Sequence, residues 1–320
     1  MTRAILVYNP KAGRYPSAQT AGYVASQLRT HGWEIHTQPT RDADHVAMLA
    51  REAAADELDV FLIAGGDGSI GIAAAGLVGS GTAMAVLPTG TTNVWAQELG
   101  LPRIRPGKPE TLDRIAALIA GSTNRLMDVG MCNGRTFLLW AGIGLDALVV
   151  RRSEQRRSRL KKKLVIPEYM LRTLKIVTTW PGVRARIRAE SLNAPPLELE
   201  GTYQISVASN IGLYAGGLAT LSPEARLDDG EMDMWLFEGK GTRAAFRSAW
   251  NIVRGSHVQS AIARRISFSR MVIEIEKPAH LHNDGEPLGP ENRIELTVNR
   301  QALNILVPTT MNAQRFSPQP

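Results

Sequence analysis

The chain has 320 residues, 44% of them hydrophobic and 21% charged, with 37 Lys and Arg against 30 Asp and Glu for a net charge of +7. That length favours two domains, each able to bury a core, and the composition excludes a disordered chain and a small stapled fold. One cysteine, Cys132, excludes a disulfide framework and a Cys-rich zinc site and fits a reducing, cytoplasmic address.

The apolar run Ala4-Ile-Leu-Val-Tyr8 stops at Asn9-Pro10, too short for a signal peptide. No stretch approaches the ~18 uncharged apolar residues of a membrane-spanning helix. The charge is local: residues 151–190 hold thirteen Arg and Lys against three Glu, so the rest of the chain is slightly acidic. Such a patch faces nucleic acid, an anionic membrane or only solvent.

In chain order, Arg3 to Tyr8 is a β-rich run, Pro16 to Thr30 has helical spacing, and Trp33 to Thr37 reads as a second strand. Asp42 and Asp44 offer N-caps for an Ala-rich helix through Ala55. Asp59 to Ala64 is a short apolar run ahead of glycines, the mark of a strand buried on both faces. Ser69 to Leu77, Ala83 to Leu87, Asn93 to Leu99 and Leu112 to Ala120 continue the alternation, with Gly121 as a helix stop. Such alternation predicts a doubly wound α/β sheet with ligands at the carboxyl ends of its strands.

Beyond Asp128 the chain reads as β-rich, with strands over Phe137–Trp140, Gln204–Ala208, Met232–Phe237, Ile266–Phe268, Val272–Ile275, Ile294–Val298 and Leu303–Val307. The basic segment with Pro167 to Val177, and Thr242 to Val253, are the helical exceptions.

Gly65-Gly66-Asp67-Gly68-Ser69 follows the buried strand and opens a helix. Glycines there let backbone N–H groups approach an anion, and the helix N-terminus adds positive potential. An acid in their midst suits a nucleotide with Mg²⁺ better than bare phosphate. The plainer reading is a strand-to-helix turn capped by Asp67. Pro88-Thr-Gly90-Thr91-Thr-Asn93 repeats the arrangement after the next strand, and Asn9-Pro10-Lys11-Ala12-Gly13 supplies a third loop at the same sheet edge. Three loops at one edge favour a nucleotide site. Gly66-x-Gly68-x-x-Gly71 and Gly142-x-Gly144-x-x-Ala147 both match the dinucleotide fingerprint, but neither opens the first strand-helix unit and no acid closes a following strand, which weighs against redox chemistry.

His282-Asn-Asp284-Gly-Glu286 admits two readings. Positions 280, 282, 284 and 286 share one face of an extended chain, a conceivable metal site, yet Asn-Asp-Gly is also a hairpin signal and on spacing alone the turn is preferred. Asp228-Asp229-Gly230-Glu231 reads first as an acidic turn and second as an oxygen-ligand site for Mg²⁺ or Ca²⁺.

Taken in order, these motifs resemble the diacylglycerol kinase-like lipid kinase family, the bacterial soluble lipid kinases related to sphingosine and ceramide kinases. The match runs from Asn9–Gly13 through Gly65–Ser69, Pro88–Asn93, Leu99-Gly-Leu101, Gly142-Ile-Gly-Leu-Asp-Ala147 and Pro223–Asp233 to Asp284-Gly-Glu286. The resemblance implies a doubly wound α/β nucleotide-binding domain over 1–127, a β-sandwich lipid-substrate domain over 128–302, and a return of about 303–320 to the first, with the active site in the cleft between them. It places ATP on Asn9 to Gly13, Thr40, Gly66 to Ser69, Ile70, Gly71, Ile72 and Thr91, with Gly65, Gly90 and Asn93 completing the loops. It makes Asp284 and Glu286 the catalytic carboxylates and sets a structural Mg²⁺ on Asp229 with the carbonyls of Arg226 and Glu231.

Two acids of the family pattern are absent, since Gly71-Ile72 stands where Asn-Glu is usual and Asn93-Val94 where Asn-Asp is usual. Asp67 is then expected to be the main first-domain acid for a catalytic Mg²⁺. The expectation is an ATP- and Mg²⁺-dependent kinase acting on a hydroxyl of diacylglycerol or a similar membrane lipid. It would dock by residues 151–177 on the inner, anionic membrane face, and no aromatic interleaving supports nucleic acid. A soluble-substrate kinase of the NAD kinase or phosphofructokinase type and a catalytically silent binding protein are the alternatives.

Overall fold

The computed structural model describes residues 1–11, 17–105, 108–157, 180–239 and 241–317, the side chains of 152–157 excepted. Ala12, Gly13, the lysines 161–163 and the helix expected over Pro167–Val177 lie outside the described residues. The chain divides into one unit of Met1–Val129, Leu227–Asp229 and Arg300–Pro320, and another of Gly130–Arg226 and Gly230–Asn299.

The first unit is built on four parallel strands, β1 (Thr2–Tyr8), β2 (Trp33–Pro39), β3 (Val60–Gly65) and β4 (Ala83–Pro88), in the order β2-β1-β3-β4. Every residue of β3 and β4 is buried, as their unbroken apolar runs require of strands covered on both faces. Alternate residues Leu6, Leu62 and Ala85 meet helices α1 (Ser17–Thr30) and α5 (Glu110–Ala120) in one core cluster. Helices α2 (Ala43–Ala55) and α3 (Asp67–Leu77) pack together, with α3 against β3 and β4. Gly76 lets the pair close, because a Cβ there would stand 2.7 Å from that of Ala50. Asp42 caps α2 by accepting the His45 N–H at 2.9 Å, and such a cap contributes about 1 kcal/mol. The five-residue α4 (Val94–Glu98) follows the β4 loop.

The chain's last residues belong to this unit. Ile305 pairs in parallel with Met84, the Gly79 N–H donates to the Ala302 carbonyl at 2.7 Å, and Arg315 meets the buried Glu98 at 2.7 Å. The short 227–229 segment is tied in by Arg125, which reaches Asp228 at 3.3 Å and lies 4.5 Å over the Phe316 ring.

The second unit is antiparallel. Strands β13 (Ala263–Phe268), β12 (Met232–Glu238), β9 (Leu197–Ser209), β7 (Trp140–Gly144), β14 (Arg270–Asn283) and β15 (Glu286–Val307) follow one another across the sheet. Strand β8 (Val183–Glu190) also pairs with both β9 and β14. Gly144 faces Ile205 and Val183 faces Tyr203, so β7 and β8 are two halves of one strand row interrupted by residues 145–182. Where the halves meet, a Cβ on Gly144 would stand 2.8 Å from the Val183 side chain. The interruption begins as helix α6 (Leu145–Arg157) and carries the basic segment.

Strand β5 (Thr123–Cys132) forms a hairpin with β6 (Arg135–Phe137), and the two-residue strands β10 (Leu213–Tyr214) and β11 (Ala219–Thr220) pair with each other. One further helix, α7 (Gly241–Arg254), precedes β13. Among the described residues no helix is long and apolar enough to cross a membrane.

Candidate active site

In the first unit the loops named above leave the carboxyl ends of β1, β3 and β4, and two of them touch backbone to backbone. The Gly90 N–H donates to the Gly65 carbonyl at 3.1 Å, and a Cβ on Gly90 would stand 2.5 Å from the Gly66 Cα. Only glycine at 90 permits that approach. Asn93 takes a left-handed φ of +51° and turns its amide inward, accepting from Gly90 N–H at 3.0 Å and donating to the carbonyls of Gly90 and Pro88.

Asp67 joins the loops from the other side. One carboxylate oxygen accepts the Trp95 N–H and the other the Thr92 hydroxyl, both at 3.0 Å. The acid thus sits at the start of α4, where N–H groups otherwise lack partners. At the head of α3, Gly66 is extended and the first N–H groups of the helix have no intrahelical acceptor, which suits an anion. Gly68, Ser69, Gly71 and Ile72 are half-buried along this face, Ile70 is buried in the core, and Thr91 is exposed.

Asn9 and Thr40 act locally. The Asn9 side chain accepts the Lys11 N–H at 2.8 Å, with Pro10 and Lys11 exposed. Thr40 is buried, and both its N–H and its hydroxyl donate to the Tyr8 carbonyl.

In the second unit Asn283 pairs with Glu286 across the two-residue loop Asp284-Gly285, whose φ values of +50° and +86° make a primed hairpin turn. The Asp284 carboxylate folds back into a cradle of three N–H groups, from Leu138 at 2.6 Å, Leu139 at 2.7 Å and Trp140 at 3.0 Å. Burial pushes its pKa up to about 6 against the downward pull of those donors. Glu286, by contrast, is exposed at the first position of β15.

Beneath this turn lies a buried relay that the motifs did not reveal. His282 Nδ1 accepts the Gly285 N–H at 3.2 Å, its Nε2 lies 2.6 Å from Asp146, and the Tyr214 hydroxyl donates to the other Asp146 oxygen at 2.5 Å. Gly142 makes room for it, since a Cβ there would come within 2.1 Å of both His282 and Asp146. Asp146 follows the Gly142-x-Gly144 pattern, so its place was visible, but its partners lie 136 and 68 residues away in the chain. His280 is half-buried beside Arg151, and burial, then that guanidinium, hold its pKa down. The one-face grouping of positions 280 to 286 gives way to these separate engagements, and no cluster of three His, Cys, Asp or Glu side chains suited to a metal occurs among the described residues.

Around the acidic turn, Asp229 and Asp228 are half-buried, and Asp228 is held by Arg125 and the Ser317 N–H. Arg226 is exposed. Glu231 is buried with its carboxylate accepting from the Ser191 hydroxyl and Leu192 N–H at 2.6 Å and the Asn193 amide at 3.2 Å. Burial raises its pKa, but those donors outweigh it and leave the carboxyl below its ordinary value.

Residues 3–132 match the diacylglycerol kinase catalytic domain, and residues 140–307 match the YegS C-terminal NAD kinase beta sandwich-like domain. A diacylglycerol kinase of Bacillus subtilis (strain 168) is 28% identical over 296 residues, 89% of this chain and 90% of its own length. A Pseudomonas aeruginosa (strain UCBPP-PA14) protein named "Probable lipid kinase YegS-like" is 27% identical over 324 residues, 99% of this chain and 98% of its own. The solved structure of a diacylglycerol kinase from Bacillus anthracis Sterne shares the fold, with a TM-score of 0.71 at 18% identity, covering 97% of this chain and 98% of that one. A diacylglycerol kinase catalytic domain followed by a YegS-type β-sandwich-like domain defines the class, and this chain belongs to the diacylglycerol kinase-like lipid kinase family. It is a kinase by that membership, which implies the use of ATP.

Proposed function

We propose that the chain transfers the γ-phosphoryl group of ATP to a hydroxyl of diacylglycerol or a similar neutral membrane lipid. The observation that carries the reading is the backbone contact of the Gly66 and Gly90 loops, which sets two N–H-rich turns side by side at one sheet edge. Asn9 to Gly13, Gly65 to Ile72, Gly90, Thr91 and Asn93 are the residues assigned to the nucleotide. Buried Thr40, with its hydroxyl spent on Tyr8, would hold the β1 loop in place.

In the transfer, the lipid hydroxyl oxygen forms a bond to the γ-phosphorus, the bond to the ADP oxygen breaks, and the hydroxyl proton passes to a carboxylate. Glu286 is assigned that proton because it is exposed at the head of β15, whereas the Asp284 carboxylate folds back into the Leu138–Trp140 backbone. Asp284 is therefore a positioning residue, holding the turn that presents Glu286.

Mg²⁺ fits the donor set: one first-unit carboxylate, Asp67, together with substrate phosphate oxygens is a habitual arrangement for that ion. Bound there it would neutralise phosphate charge. A second, structural Mg²⁺ is assigned to Asp229 with the carbonyls of Arg226 and Glu231, a role that leaves the engaged Glu231 side chain unused. Docking on an anionic membrane is assigned to the basic residues of 151–177, whose charge density supports it at about 1 kcal/mol per basic residue near the surface.

The hydrophobic residues at 72 and 94 favour one second reading, a protein that binds nucleotide or lipid without turnover. Incubation with labelled ATP, Mg²⁺ and a total lipid extract decides between them. Labelled lipid in the organic phase supports the kinase, label in a water-soluble product identifies a soluble acceptor, and no transfer supports the silent protein.

A further inference from the structure

Helix α7 turns its larger apolar side chains away from the protein. Ala245, Ser248 and Ile252 face inward and are buried, while Phe246, Trp250 and Val253 are 53%, 48% and 59% exposed. An amphipathic helix that served only the core would do the reverse. The outward residues recur at spacings of four and three, so they form one stripe. Phe246 and Trp250 stack at 6.4 Å, and the Arg254 guanidinium lies 4.5 Å over the Trp250 ring.

Exposed Leu218 extends the stripe, lining with Val253 and Arg254 an open cleft of about 270 Å³, and exposed Val258 lies just beyond the helix. The helix and the residues that follow it are basic. Residues 241–265 contain five arginines and no acid, and Arg243, Arg247 and Arg254 are exposed on the helix.

We propose that the outer face of α7, with Phe246, Trp250, Val253 and Leu218 as its apolar centre and Arg243, Arg247 and Arg254 at its margin, docks on an anionic lipid bilayer. The chemistry is that of an interfacial helix: aromatic side chains enter the boundary between headgroups and acyl chains, and arginines meet lipid phosphates. Charge complementarity selects this occupant, because the exposed Arg243, Arg247 and Arg254 of a helix that carries no acid gain at an anionic surface. The surface is built from a different stretch of the sequence than 151–177, and the inference rests on the lipid-kinase reading only for the reason the enzyme visits a bilayer.

The test is co-sedimentation of the full chain with vesicles of phosphatidylglycerol and phosphatidylcholine, compared with phosphatidylcholine alone. Wild type should bind the anionic vesicles, and both F246S/W250S and R243E/R247E should bind them about tenfold or more weakly, as loss of either the apolar or the electrostatic contribution requires. Vesicles with brominated acyl chains should quench wild-type tryptophan fluorescence and quench Trp250→Phe less. Wild-type vesicle binding by F246S/W250S overturns the proposal, and so does a wild-type dimer that this variant converts to monomer, which would make the face a protein interface. Phosphorylation of detergent-dispersed diacylglycerol, measured in parallel, should be the same in all variants; its absence even in wild type would refute diacylglycerol as the acceptor while leaving the vesicle result to stand or fall by itself.

Discussion

His282 Nε2 lies 2.6 Å from Asp146 Oδ2, and since Nδ1 accepts the Gly285 N–H, the tautomer that satisfies both contacts carries its proton on Nε2. Tyr214 completes the chain of bonds. Removing its hydroxyl in Tyr214→Phe should cost about 1.5–3 kcal/mol, the usual worth of a hydrogen bond to a charged group. Denaturant unfolding measures this, and an unchanged midpoint would show that the relay carries no stability. His282→Ala should cost more and also lower kcat, because the Gly285 end of the turn loses its support.

The two acids of the turn should separate by phenotype. Glu286→Gln should lower kcat by roughly 10²-fold or more, the range for a lost general base, with melting temperature and ATP affinity nearly unchanged. Asp284→Asn places an amide donor against a backbone N–H in the Leu138–Trp140 cradle, so it should lower stability as well as kcat, by about 1–3 kcal/mol for the unmade bond. Equal melting temperatures for the two variants would contradict the division of roles.

The raised pKa of Asp284, about 6 against an ordinary 3.8, has a defined sign. Folding favours the protonated carboxyl, so its contribution to stability is fully present below about pH 4 and is lost as pH rises through 6. The melting temperature of wild type minus that of Asp284→Ala should therefore fall between pH 4 and 6. A rise across that window would reverse the assignment.

Asp67→Asn keeps an acceptor for Trp95 N–H and a partner for the Thr92 hydroxyl but removes the charge. If Asp67 serves Mg²⁺, turnover should be abolished, while stability falls by no more than about 1–3 kcal/mol as the two bonds to the carboxylate become bonds to a neutral amide. Retained Mg²⁺-dependent turnover would place the metal elsewhere.

Gly90→Ala forces a methyl against the Gly66 backbone. The loops must part, at a cost of about 1–3 kcal/mol for overpacking, and ATP affinity measured by calorimetry should drop. Normal affinity would mean the paired loops are not the nucleotide cradle.

Much of this molecule was decided locally and so was legible in sequence. The apolar run of β3 could only be a strand covered on both faces, Gly66 and Gly90 marked loops where backbone must come close, and Asn-Asp-Gly spelled a hairpin whose backbone takes positive φ. These features depend on a residue and its near neighbours. Pairings across long stretches of chain do not. Nothing in local periodicity told that β7 and β8 share one strand row, that Ile294–Val298 and Leu303–Val307 are one continuous strand, or that His282 would find Asp146. The same limit applies to α7, whose spacing announced an amphipathic helix while only packing decided which face met the core. Packing took Ala245, Ser248 and Ile252 inward and left Phe246, Trp250 and Val253 to the outside.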